Sequence, residues 1–315
     1  MEYHNPVLLQ TSVDYLVTNP AGTYVDVTFG GGGHSRAILE RLSPEGRLIA
    51  FDQDADSKAN LIDDPRFCFV PSNFKNLTRF LKYHKAYPVD GILADLGISS
   101  HQIDTADRGF SYSRDGVLDM RMNVESGISA REVVNNYDEA QLSRIFFTYG
   151  ELSEGRRLAR QIVRAREDAA IETTFQLAEA LKPCLPHGRE NKYLSKIFQA
   201  LRIEVNREME VLELMLGQTA EALKEGGRLV VIAYHSLEDR MVKNVMRSGN
   251  LSGEVEKDFY GNPLSPFKAV TRKAIVPDLE EIAINPRARS AKLRVAEKII
   301  VTPHGYATAL RRDSL

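Results

Sequence analysis

The stretch Asp26-Val27-Thr28-Phe29-Gly30-Gly31-Gly32-Gly33-His34-Ser35 reads as a buried strand end that runs through four glycines straight into a helix ending near Leu42. Glycines there let the backbone take positive φ and approach a ligand closely, and the helix start offers unpaired N–H donors. A dinucleotide loop has the form G-x-G-x-x-G, with a third glycine for helix packing and a pyrophosphate over the helix start. Here Ser35 stands at the third position, and the pattern is instead D-x-x-x-G-x-G, carried by Asp26, Gly30 and Gly32.

That form suits a ligand with a zwitterionic amino acid and no pyrophosphate, as in S-adenosylmethionine. Asp26 is then a candidate to receive the ligand's ammonium, directly or through water. About twenty residues on, Gly46 turns into Arg47-Leu48-Ile49-Ala50-Phe51-Asp52, an apolar strand ending in a carboxylate at the spacing where such folds hold ribose hydroxyls. The competing reading is a glycine-rich surface turn followed by an ordinary charged strand end.

With 315 residues, 43% of them apolar, the chain can bury one large core or two smaller ones, so two domains or one with an insertion are expected. Lys and Arg number 41 against 43 acids, and a net charge of −2 argues against a nonspecific nucleic-acid coat while leaving room for a local basic face. Cys68 and Cys184 form neither a C-x-x-C motif nor a disulfide framework, which fits a reducing setting. The opening residues, with Glu2, His4 and Asn5, carry no basic-then-apolar signal, and no apolar run approaches the roughly 20 residues that span a bilayer. A soluble, cytoplasmic protein without a membrane partner is expected.

Short apolar runs at Tyr24 to Val27, Leu48 to Phe51, Phe67 to Val70, Gly91 to Ala94 and Leu229 to Ala233 read as buried parallel strands. The first four alternate with helical stretches at Ser35 to Leu42, Ala55 to Leu61 and Phe74 to Tyr83, the rhythm of an open sheet wound on both faces. The fifth strand arrives after about 130 residues without a convincing strand, which predicts a helical insertion rather than a loop. In it, Ile197, Leu201, Val205, Met209, Leu212 and Leu216 recur at steps of four and three, predicting one helix whose stripe stops before Gly226. The polar segment from Arg247 to Pro266 reads as a loop, either a lid or disordered.

The fourth strand delivers Asp95-Leu96-Gly97-Ile98-Ser99-Ser100 to its carboxyl end, the edge where open α/β sheets bind ligands. Enzymes that methylate base amines place a carboxylate or carbonyl acceptor there. Asp95 is the candidate acceptor, with Ser99 beside it; the alternative is that Asp95 caps the next turn or positions the cofactor. No aromatic follows at once, so Phe110 and Tyr112 are the candidate stacking partners. The fifth strand ends in Tyr234-His235-Ser236-Leu237-Glu238-Asp239-Arg240, a polar run that also resembles a helix start. It lacks a nucleophile elbow, and its His, Ser and Asp are too close in sequence for a triad. His34 and His235 lack metal-ligand spacing, and no metal is expected. Arg156, Arg160 and Arg164 line one helical face, and Arg287, Arg289, Lys292 and Arg294 fall together without an acid; both clusters suit phosphate contacts or a solvated surface.

Taken together, these residues resemble the bacterial 16S ribosomal RNA cytosine-N4 methyltransferase family, known as RsmH or MraW. The likeness covers nearly the whole chain: His4-Asn5-Pro6-Val7-Leu8-Leu9, Asp26 to Ser35, Asp52 to Asp54, Asp95 to Asp104, Arg108-Gly109-Phe110-Ser111, Leu118-Asp119-Met120-Arg121-Met122, Phe198-Gln199-Ala200-Leu201-Arg202-Ile203, His235 to Arg240 and Asn285 to Arg294. The resemblance implies an α/β, Rossmann-like S-adenosylmethionine-dependent methyltransferase sheet over residues 1–104 and 219–315, interrupted by a helical substrate-recognition domain over 105–218. It implies S-adenosyl-L-methionine at Gly32, Gly33 and His34, with Asp52 at the ribose, Phe74 near the adenine, and Asp95 and Gln102 at the methionine end. It also implies the substrate, the P-site cytosine of 16S rRNA in the small ribosomal subunit; His235 and the basic residues are then the candidate RNA contacts. The family's usual histidine-proline segment before Phe198 is absent, so Lys192 and Lys196 are the candidate substitutes.

The expected chemistry is in-line methyl transfer to a base that has left its stack, with Asp95 as the amine's acceptor. One rival is a nicotinamide oxidoreductase, which needs the missing third glycine. The other is a catalytically silent RNA-binding or assembly factor, which has no need of a complete cofactor edge. The apolar stripe reads as core rather than a ligand surface, and the insertion's helices serve either to cover the active site or to pair two copies as a homodimer.

Overall fold

The computed structural model describes residues 6–302 and 305–306; His4 and Asn5, which open the family motif, lie outside the described residues, as do 303–304 and 307–315 of the second methyltransferase segment. The chain forms two compact units, one of Met1–Gly97 with Val211–Leu315 and one of Ile98–Glu210, where the sequence placed the divisions at 104/105 and 218/219.

The first unit opens with α1 (Leu9–Leu16), β1 (Thr23–Asp26), α2 (Gly33–Arg41), β2 (Arg47–Phe51), β3 (Phe67–Val70), α3 (Leu77–Tyr83) and β4 (Val89–Asp95). The four strands are parallel, with Val25 opposite both Ile49 and Ile92 and Ile49 opposite Cys68. Side chains alternate between the faces. Tyr24, Leu48 and Leu93 pack with Val13, Leu16 and Ile38 of α1 and α2, while Phe51, of opposite parity to Leu48, meets Phe80 of α3 edge-on at 5.9 Å. The stretch Ala55–Asn60 is a 3-10 helix, and Phe74–Asn76 is a 3-10 turn leading into α3, so two of the expected helices are shorter or tighter than their apolar patterns suggest.

The second unit contains α4 (Ser100–Asp104), α5 (Ala130–Asn136), α6 (Glu139–Thr148), α7 (Gly155–Asp168), α8 (Thr174–Leu181) and α9 (Glu190–Asn206). Reciprocal capping boxes start α4, α5, α6 and α8, each joining a Ser, Thr or Asp to a Gln or Glu three residues on. Leu142, Ile145, Phe146, Leu158, Ile162, Leu177, Ile197 and Leu201 form its core. Among the described residues this unit has no strand, only an isolated bridge between Val117 and Thr173. The single helix expected through Leu216 is in fact two. Arg207 adopts φ 51°, and its N–H closes the end of α9 on the carbonyls of Glu204 and Ile203, so α10 (Glu208–Ala222) starts afresh. The side chain of the preceding Asn206 bonds Met120 O and Met122 N as well as Arg202 O of its own helix, which fixes the chain where the two helices part.

The chain then adds β5 (Leu223–Ala233), α11 (Ser236–Ser248), β6 (Phe267–Ala269), α12 (Leu279–Ile284) and β7 (Lys292–Lys298) to the first unit. The seven strands run in the order β3-β2-β1-β4-β5-β7-β6, with β7 antiparallel to β5. This is a doubly wound, Rossmann-like sheet with an antiparallel edge, and the order reverses between β1 and β4, where such sheets open a crevice at their carboxyl ends. Neither β6 nor β7 was expected from sequence. Between α11 and β6 the polar segment is tied by Asp258, which accepts from the amides of Tyr260 and Asn262. No helix among the described residues is long and apolar enough to cross a membrane.

Candidate active site

The carboxyl ends of β1, β2, β4 and β5 carry a connected set of polar groups. Asp26 ends β1 and is buried. Its Oδ1 accepts from the Thr28 amide at 3.0 Å and from the Thr28 hydroxyl at 3.3 Å, and its Oδ2 from Ser35 Oγ at 2.7 Å. Burial pushes its carboxyl up, against the lowering effect of these donors. Both oxygens are thus occupied by the loop and by the first turn of α2. The geometry fits a strut that holds the loop better than direct receipt of an ammonium, one of the two roles expected from sequence, the other being receipt through water.

Gly30 and Gly32 have φ 50° and 76°, a left-handed backbone that glycine adopts without strain. A Cβ on Gly32 would lie 3.0 Å from the Phe29 ring, and one on Gly33 would lie 2.2 Å from Pro6 Cγ, so Gly33 is needed first for packing against Pro6. The Gly30 amide donates to Asp52 Oδ2 at 2.7 Å, and the Asp54 amide donates to Asp52 Oδ1 at 2.8 Å. Burial raises the Asp52 carboxyl to about 6 despite these two donors. Beside it, Asn73 Nδ2 donates to Gln53 Oε1 at 2.8 Å, tying the turn after β3 to the turn after β2, and half-buried Phe74 follows at once.

Asp95 ends β4 and has a side chain 23% exposed. Its amide donates to Thr28 Oγ1 at 2.7 Å, and its Oδ1 accepts from the Tyr234 hydroxyl at 2.8 Å. Its Oδ2 lies 3.6 Å from Nδ1 of buried His34. Burial pushes the Asp95 carboxyl up to about 6, while His34 and Tyr234 act against the rise. Burial also lowers the His34 imidazole, against the pull of Asp95, so a neutral ring is favoured. Its Nε2 is buried with no hydrogen-bond partner among the described residues. Thr28 and Tyr234, which join these groups, had no role in the sequence reading. The signal was present for Tyr234, which directly follows β5 and so reaches the same sheet edge as Asp95.

Several candidates take structural positions instead. His235, expected to touch RNA, has a side chain 7% exposed and caps α11: its Nδ1 accepts from the Glu238 amide, and its Nε2 is 3.1 Å from Glu238 Oε1. Phe110 is buried in the core of the second unit, with the Arg108 guanidinium 5.8 Å from its ring, so its faces are not open to a base. Tyr112 remains half-buried, edge-on to Phe198 at 5.8 Å. Also in the second unit, Ser99 Oγ accepts from the Gln102 amide and Gln102 Oε1 accepts from the Ser99 amide, so both belong to the box that starts α4.

The basic clusters divide. Arg156, Arg160 and Arg164 are exposed on the face of α7 opposite buried Leu158, Ala159 and Ile162; the first two lie 3.5 Å from Glu139. Lys192 is exposed on α9, and Lys196 Nζ donates to Glu151 O at 3.5 Å. In the first unit Arg287 and Arg289 are exposed, but Lys292 and Arg294 pair with Asp239 at 3.2 and 2.6 Å and fasten β7 to α11.

Residues 1–299 match the model of the MraW methylase family. The chain is 60% identical over 296 residues to the ribosomal RNA small subunit methyltransferase H of Bacteroides fragilis, covering 94% of this chain and 97% of that protein. It is 57% identical over 299 residues to the protein of the same name from Flavobacterium johnsoniae, covering 95% and 99%. Among solved structures, a putative rRNA methylase from Clostridium thermocellum is similar at a TM-score of 0.43 and 15% identity, covering 93% of this chain and 98% of that one.

Proposed function

The chain belongs to the MraW methylase family, and we propose that it methylates the N4 amine of the P-site cytosine in the 16S rRNA of the small ribosomal subunit, in the cytoplasm, with S-adenosyl-L-methionine as methyl donor. The observation that carries this reading is Asp95, a carboxylate at the carboxyl edge with one oxygen held by Tyr234 and the other not hydrogen-bonded among the described residues. The shared name of the relatives supports the small-subunit RNA as substrate.

The glycine loop fits the donor. Gly30 and Gly32 turn at positive φ, Asp52 stands beside them at the ribose spacing, and His34 keeps a buried Nε2 without a hydrogen-bond partner among the described residues. When bound, the donor supplies a methyl group on a cationic sulfur, which N4 takes by in-line displacement as the N–C bond forms and the S–C bond breaks. Gly32, Gly33 and His34 would line the donor, Asp52 would hold its ribose and Phe74 would flank its adenine. Asp26 acts through the loop it braces. Gln102 as a donor contact and Ser99 as a companion to Asp95 rest on the family resemblance.

The lone pair of N4 is delocalised into the ring and is a poor nucleophile. Accepting its hydrogens on Asp95 favours the pyramidal, nucleophilic geometry. The amine's acidity rises as the new bond forms, so its proton leaves late, to Asp95 or to water. Reaching the methyl requires the base to leave its stack. The exposed cations Arg156, Arg160, Arg164, Lys192, Arg287 and Arg289, with Lys196, are the RNA-facing residues of this reading.

Labelled S-adenosylmethionine with small subunits from cells lacking the endogenous enzyme should yield N4-methylcytidine at the decoding centre. Absence of transfer by a chain that binds S-adenosylhomocysteine would refute the substrate.

A further inference from the structure

We infer that Tyr234 is a positioning residue for the reaction, holding Asp95 so that one carboxylate oxygen, Oδ2, is presented to the substrate amine. The inference rests on the reading of Asp95 as that amine's acceptor. β4 and β5 run parallel with Asp95 opposite Ile232, so the residue just past Ala233 emerges beside the Asp95 side chain. The Tyr234 hydroxyl donates to Oδ1 at 2.8 Å, whereas Oδ2 lies 3.6 Å from His34 Nδ1, beyond hydrogen-bonding length.

Both ends of this contact are braced. The Asp95 amide is held by Thr28 Oγ1 at 2.7 Å, and the Tyr234 amide by Glu238 Oε2 at 2.9 Å. Gly97, at φ 101°, turns the chain after β4 through a backbone that favours glycine, and a Cβ there would lie in ordinary contact, 3.5 Å from Tyr234 Cδ2. A free carboxylate rotates about its last bond and offers either oxygen. Here one oxygen is occupied, and the rotation is stopped.

The same bond bears on charge. Asp95 faces His34 from α2, Asp26 from β1, Glu238 from α11 and Tyr234 after β5; burial and the two carboxylates favour its neutral form, while His34 and the tyrosine hydroxyl favour the ionised one. Losing the hydroxyl therefore shifts the Asp95 titration upward.

An amide at position 95 makes the idea decisive, because it has one acceptor oxygen and one NH2 donor. In Asp95→Asn the Tyr234 hydroxyl captures the oxygen and turns the NH2 toward the substrate amine, donor against donor. With Tyr234→Phe added, the amide is free to flip and offer its oxygen to the substrate.

The test measures methyl transfer to small subunits by the full chain carrying Asp95→Ala, Asp95→Asn, Tyr234→Phe, or Asp95→Asn with Tyr234→Phe, using S-adenosylhomocysteine binding to confirm folding. Tyr234→Phe should lower kcat about tenfold, leave ligand affinity within about twofold, and move the acid limb of the kcat profile up by about one pH unit. Asp95→Ala should be inactive, Asp95→Asn should retain only a measurable trace of activity, and the double variant should be about tenfold faster than Asp95→Asn alone. If Asp95→Ala is inactive but Tyr234→Phe keeps the wild-type pH profile and fails to rescue Asp95→Asn, the role of Tyr234 is overturned. If Asp95→Ala turns over near the wild-type rate, the acceptor reading itself is wrong and this inference falls with it.

Discussion

The Gly30 amide donates to Asp52 Oδ2 at 2.7 Å, so the loop that follows β1 takes its shape from a carboxylate that follows β2. The other Asp52 oxygen is held by the Asp54 amide at 2.8 Å, which fixes the orientation of the whole carboxylate. In the proposed reading two functions then meet in one side chain: bracing the loop and facing the ribose.

Asp52→Ala should therefore weaken S-adenosylhomocysteine binding by about 100-fold, the scale of losing a charge-assisted hydrogen bond of about 2–3 kcal/mol. Isothermal titration of the variant provides the measurement. Affinity within a few-fold of wild type would remove Asp52 from the donor site.

Asp52 and Asp95 both titrate near 6 in the fold, raised by burial from the ordinary 3.8. Between those values the folded protein holds protons that the unfolded chain has released, so stability declines as pH rises through the window. Asp95→Asn removes the buried charge and keeps an acceptor for Tyr234. Near neutral pH it should be more stable than wild type by about 1–3 kcal/mol while losing methyl transfer, and the gap should close at about pH 4. Calorimetry at the two pH values tests this; a lower Tm at neutral pH would contradict it.

The central strands and Asp95 were readable because short apolar runs ending in Asp or Gly obey local rules, and the strand-end rule points to one sheet edge. β7 was hidden because Lys292 and Arg294 fell in a basic cluster read as phosphate contacts or solvated surface, and its pairing with β5 spans about 60 residues of chain. The break at Arg207 lies inside a continuous apolar stripe, and the clamp that fixes the chain there, Asn206 on Met120 and Met122, is a contact across more than 80 positions. Phe110 looked like a stacking platform because sequence does not show that Leu118 and Phe198 share its core. Each miss is a tertiary contact overriding a local pattern.

That clamp invites its own test. Met120 is fully buried at φ 61°, an uncommon backbone for a long side chain, and it is held there by Asn206 Nδ2 on its carbonyl and by Asn206 Oδ1 on the Met122 amide, each at 2.8 Å. Arg108 adds bonds to the carbonyls of Arg121 and Met122 at 3.0 Å. Strained turns persist only when their surroundings over-determine them. Asn206→Ala should destabilise the protein by about 2–4 kcal/mol, read by denaturant unfolding. A loss below about 0.5 kcal/mol would mean that the turn holds itself.

Three arginines on α7 offer a way to locate the RNA. Arg160 is 67% exposed and only 3.5 Å from Glu139, a surface pair too weak to hold it against a phosphate. Arg164 is exposed one turn further along, on the face opposite the apolar residues that seat the helix. Reversing these charges removes no packing, so Arg160→Glu with Arg164→Glu should leave Tm and S-adenosylhomocysteine affinity unchanged. If the α7 face tracks the RNA backbone, small-subunit binding should weaken, and the slope of log affinity against log salt should flatten by about 0.7–0.9 for each phosphate that is no longer neutralised. Unchanged affinity and slope would place the RNA instead against Lys192 on α9 or against Arg287 and Arg289 before β7. The salt slope is the better discriminator, because a distorted helix would lower affinity without changing the number of counterions released.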